Sequence, residues 1–94
     1  MDLKVIYYIE TRIGKEQNDS TKIVHQITFK LFLDSKERGS FYVQKLLENK
    51  ISIDSIRCEG ENYEIVFTKT FFDWPTFKAF GEAEKILKEL QEYK

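Results

Sequence analysis

One cysteine, one proline and one histidine occur among the 94 residues, and each scarcity closes a route. A lone thiol, Cys58, forms no internal disulfide, so a disulfide framework is excluded and a reducing, cytoplasmic home is expected. One His and one Cys, without HxxxH or CxxC spacing, leave a metal centre without its usual ligands. The four glycines, Gly14, Gly39, Gly60 and Gly81, stand apart from one another. No loop can therefore cradle a phosphate, and no cofactor is expected. The apolar run at the start, Val5 to Ile9, is too short for a signal peptide core or a membrane span. An Asn18-Asp19-Ser20 sequon is read as chance in a chain without a secretion signal. Charge of one sign is missing as well: 15 Lys and Arg face 16 Asp and Glu, for a net charge of −1. Nucleic-acid binders draw affinity from a basic surplus, so this balance argues against a primary role on DNA or RNA.

What is present suits a single small domain over residues 1–94. Apolar residues make up 41% and aromatics 15%, enough for a core and too much for a disordered chain. "LKVIYYIE" (3–10) alternates as a strand, with Leu3, Val5, Tyr7 and Ile9 on one face and Ile6 and Tyr8 on the other. A polar loop, "TRIGKEQNDST" (11–21), leads to a second alternating run, "KIVHQITFKLFL" (22–33), in which His25 shares the apolar side. The period then changes. Asp34 and Glu37 have capping-box spacing, with Gly39-Ser40 able to delay the helix to Ser40. Tyr42, Val43, Leu46 and Leu47 form a helical stripe, and Asn49 is placed to end it in a left-handed turn. "ISIDSIRC" (51–58) reads as a strand with an irregularity at Asp54-Ser55, and "EGEN" turns it into "YEIVFTKTFF" (63–72). Asp73 and Pro75 open the last helix, whose stripe is Ala79, Phe80, Ala83, Ile86, Leu87 and Leu90.

The order ββαββα contains a weak echo: "ITFKLFLD" and "IVFTKTFFD" each run from a strand to an aspartate that begins a helix. A ββα unit used twice predicts an α+β fold with one four-stranded antiparallel sheet, strand order 1-2-4-3, and both helices on one face. This is a ferredoxin-like arrangement, circularly permuted so that the last strand comes first. Phe29 or Ile27 should then meet Phe67 or Ile65.

No catalytic constellation emerges, and an enzyme is not expected. His25 and Cys58 could meet as base and nucleophile only if the fold joined them; a packed histidine and an apolar cysteine explain them more simply. Asp54 is accounted for as a bulge residue. The expected function is a small protein–protein interaction module: an inhibitor, accessory factor or antitoxin-like partner of the kind phage and mobile elements encode. Two surfaces are candidates. Phe77 points away from the stripe, Gly81 lies one turn further on, and Phe41 stands nearly opposite the Val43/Leu46 stripe; together they form a partner surface. Ile6, Val24 and Val66, placed side by side on the open sheet face with Tyr8, form a homodimer face. The alternative is a single-stranded nucleic-acid binder using Tyr8, Lys30 and Arg57 on that same face.

Overall fold

The computed structural model of the chain describes residues 3–15 and 21–93. Its elements are β1 (Lys4–Lys15), β2 (Thr21–Leu33), α1 (Lys36–Glu48), β3 (Ile53–Glu59), β4 (Asn62–Phe72) and α2 (Thr76–Gln91). All neighbouring strands are antiparallel, in the order β1-β2-β4-β3, the topology that the repeated ββα pattern predicts. One face of the two central strands supplies the core. Ile27, Phe29, Leu31 and Leu33 of β2 join Ile65 and Phe67 of β4, and both helices pack on them through Tyr42, Leu46, Ala83, Ile86 and Leu90. Phe29 lies opposite Phe67, and their rings stack at 4.9 Å. The Tyr42 hydroxyl donates to the Leu90 carbonyl at 2.9 Å, joining helix to helix above the sheet.

Element ends follow local chemistry. Ser35, not Asp34, caps α1: its side chain accepts the Arg38 N–H at 3.1 Å. Gly39 does not delay that helix. It lies inside α1, where a Cβ would fall 2.3 Å from Cγ of Tyr63, so glycine is what lets α1 approach β4. The left-handed residue after α1 is Lys50, φ 61°, rather than Asn49. Ile51 N–H bonds to Leu46 O and Lys50 N–H to Leu47 O, the paired bonds of a Schellman close with Lys50 in the place usually held by glycine. Between β3 and β4 the two-residue turn begins with Gly60 at φ +60°, the requirement of a type II′ hairpin. Pro75 is the N-cap of α2, one position earlier than a first-turn proline.

The first hairpin is longer than side-chain polarity suggests. Strand pairing continues past Glu10 to Lys15↔Thr21, and three rows, from Ile13↔Ile23 outward, extend beyond Val24↔Phe72, where β4 ends. Ladder hydrogen bonds are made by the backbone, so a polar segment can extend a hairpin that the pattern alone reads as loop. This arm gives the molecule extents of 49 × 22 × 21 Å and a radius of gyration of 15.3 Å, against about 12 Å for a compact chain of this length. The sequon falls outside the described residues.

Candidate functional site

α2 sets the first surface. Ala79, Ala83, Ile86 and Leu90 are buried and share one stripe of the helix, the two alanines bringing its first half close to the sheet. Phe80 is one residue, about 100° of rotation, from Ala79, and is 50% exposed. Its expected core position is thus corrected: small residues occupy the sheet-facing line and the large ring is turned to the flank. Phe77 is 78% exposed, off the core as its helical position predicts. Glu84 belongs to the same flank and accepts the hydroxyl of Tyr7 on edge strand β1. That hydrogen bond holds the Tyr7 phenol above its ordinary ionisation range, with burial and the Glu84 charge adding to the effect. It also shows that the Phe77/Phe80 flank overhangs β1. Among the described residues no atom lies within 4 Å of a Cβ placed on Gly81, so none of them requires glycine there.

The turn into α2 is tied to the sheet by His25, which is fully buried. Its Nε2–H donates to the Trp74 carbonyl at 2.7 Å, and Nδ1 faces the Thr11 hydroxyl at 2.9 Å. Trp74 folds back and stacks on Phe71 at 4.1 Å, with the Lys78 ammonium 4.1 Å from the indole centroid. Phe72, on the opposite face of β4, is exposed. Ile13 and Ile23, facing each other in the arm, are exposed as well. Phe72 lies opposite Val24 in the last row of β4, and the Asp73 N–H bonds to the Ile23 carbonyl at 2.7 Å. The start of α2, with Phe77 in its first turn, therefore lies at the arm end of the sheet, and Phe80 follows one turn along the helix.

His25 and Cys58 are far apart. Cys58 is level with Tyr63 and Leu33, eight residues along β2 from His25, which is roughly 26 Å at strand rise. They cannot act as a base and nucleophile pair within one chain. Among the described residues no three His, Cys, Asp or Glu side chains converge as metal ligands, and no helix is long and apolar enough to cross a membrane.

Phe41 is less available than its helical position suggests. It is half-buried against the core, edge-on to Tyr42, with Arg38 and Lys45 at 5.3 and 5.6 Å from its ring centroid. Ile6, Tyr8, Val24 and Val66 do share the open face, but not side by side. Ile6 and Val66 flank Lys30 in one row, whereas Val24 lies between Arg12 and Phe72, six residues or about 20 Å along the strand. Phe32 also lies on this face, in register with Lys4 and Glu64. The bulge expected at Asp54-Ser55 is present, and Asp54 accepts the Thr68 hydroxyl at 2.7 Å.

A second surface escaped the sequence pattern. Ile56 pairs with fully buried Ile65 and is itself 49% exposed, and Leu47 on α1 is 57% exposed. Val43, Leu47, Ile56 and Tyr63 line a groove of about 590 Å³ between α1 and β3, beside the free edge of the sheet. Leu47 follows Leu46 by about 100°, so the two leucines point in different directions, and the helix is turned so that Leu46 is buried and Leu47 is exposed. No family model matches the chain, and no curated protein or solved structure is significantly similar to it.

Proposed function

We propose that the protein is a small, non-enzymatic protein–protein interaction module, an inhibitor, accessory or antitoxin-like factor that grips another protein with the arm end. The observation that carries this reading is the exposed flank of α2, where Phe77 is 78% and Phe80 50% exposed. The helix is led in by Asp73, which bonds to the Ile23 carbonyl, at the end of the sheet where Ile13 and Ile23 are exposed as well. Large apolar residues gathered at one place mark contact sites more often than scattered ones do, and aromatic rings are the usual anchors of such contacts. The vacant space over Gly81 allows a partner's backbone to approach the helix closely.

A photo-crosslinking residue at position 77, used in extract of the source cells, tests the reading. A discrete adduct that disappears when Phe80→Asp is added supports it. No adduct from position 77, with the fold intact by circular dichroism, sinks it.

A second reading, binding of single-stranded nucleic acid, is favoured by one observation. The open sheet face presents three aromatics, Tyr8, Phe32 and Phe72, with Lys30 between Ile6 and Val66.

A further inference from the structure

β3 is an edge strand, and an unpaired edge offers backbone donors and acceptors to any strand that can align with them. Beside it lies the α1/β3 groove, whose apolar floor ends where the sheet ends. We propose that two copies of this chain associate side by side through their β3 edges, antiparallel and about a two-fold axis at Ile56. The product is a continuous eight-stranded sheet with four helices on one face. This goes beyond the Phe77 surface and does not depend on it.

Three features of β3 select the second copy as occupant. The first is charge. With Ile56 on the axis, Arg57 of one copy lies opposite Ser55 of the other. The register shift between Ile53 and Ser55 brings Asp54 to the open face next to Ser55, as its bond to Thr68 shows. Arg57, on that same face and 3.9 Å from Glu64 of its own chain, then lies across from Asp54 of the second copy. The guanidinium has N–H groups to share between the two carboxylates, Asp54 keeps one oxygen beyond its bond to Thr68, and the symmetry makes this contact twice. The second feature is register. Moving the axis to Arg57 would oppose two guanidinium groups, and moving it to Ser55 would place it on the bulge; like charges opposite one another in a sheet are destabilising. The third is shape. Ile56 meets its counterpart on the helix side, and Leu47 approaches Leu47 of the second copy above it, so each groove is roofed by the other molecule. The nearby Glu48 carboxylate is already held by Gln44 at 3.2 Å and Lys45 at 3.7 Å, so it does not enter the contact unpaired. A two-fold contact of this kind is self-complementary and closed.

Sedimentation equilibrium on the whole chain, across a wide concentration range, tests the proposal. The wild type should reach dimer. Ile56→Lys and Arg57→Asp should each weaken association on the order of a hundredfold, because each sets like charges close together at the contact. The double exchange Asp54→Arg with Arg57→Asp should restore the dimer, a rescue that general damage to the fold would not give. Thermal melts identify any variant that has lost its fold. The proposal is overturned by a wild type that stays monomeric at every concentration. It is equally overturned by a dimer that a folded Ile56→Lys leaves intact, since the contact then lies elsewhere. Phe77→Asp should leave the dimer unchanged, which separates failure here from failure of the partner surface.

Discussion

Two glycines in helices show opposite local physics. At Gly39 an added Cβ would overlap the Tyr63 ring, so Gly39→Ala should destabilise the fold by about 1–3 kcal/mol, the range for overpacked sites. Gly39→Ala should cost less in a Tyr63→Ala background than in the wild type, because the obstructing ring is gone. Gly81 faces open space, and Gly81→Ala should stabilise by about 1 kcal/mol through helix propensity alone. Urea denaturation checks both signs. A stabilised Gly81→Ala that also loses a partner would show that the glycine is kept for the contact. Lys50 gives a related case: its φ of 61° is costly for any residue with a Cβ, so Lys50→Gly should stabilise by about 1 kcal/mol. The sequence held the right residue types here but not their placement. Asn49 and Lys50 are adjacent, and only the closing bonds from Lys50 and Ile51 decide which takes the left-handed position.

At the scale of elements, hydrophobic period was enough to place the strands, the helices and their order, because each buried face repeats at two or about 3.6 residues. Rotation of a helix about its own axis was not legible in the same way. α2 settles on Ala79 and Ala83 and turns Phe80 out, and α1 settles on Tyr42 and Leu46 and leaves Leu47 beside the groove. Both outcomes depend on how closely a helix approaches the sheet, which a one-dimensional pattern does not encode. The helix-to-helix join is testable at Tyr42. Tyr42→Phe removes the hydrogen bond to Leu90 O and should cost about 1 kcal/mol. Burial raises the Tyr42 phenol above its ordinary value despite the neighbouring Arg38, and raises Tyr93 likewise, with Glu89 and Tyr42 adding to it. The unfolded chain releases these protons near pH 10 while the folded protein retains them. Their stabilising contribution is therefore complete below that pH and is lost as pH rises through the folded values. Urea midpoints followed into the alkaline range should fall more steeply for the wild type than for Tyr42→Phe.

For the whole molecule, the open face is where sequence and register part most clearly. Alternation assigns Ile6, Tyr8, Val24 and Val66 to one side of the sheet, correctly, but says nothing about which rows they share. Pairing separates Val24 from Ile6 and Val66 by about 20 Å and inserts Lys30 between the other two. An apolar dimer face needs contiguity, so Val24→Lys should leave self-association unchanged while Ile56→Lys weakens it on the order of a hundredfold. The same register decides what the face offers a nucleic acid. Tyr8, Phe32 and Phe72 could stack bases, but Glu64 shares a row with Phe32, Glu10 follows Tyr8 two residues along β1, and the chain carries no basic surplus. A backbone of phosphates would find cations here only in alternation with carboxylates. Fluorescence anisotropy with single-stranded RNA and DNA should accordingly show weak binding that Tyr8→Ala barely alters. Submicromolar binding that collapses with added salt and with Tyr8→Ala would move the function from the arm end to the open sheet.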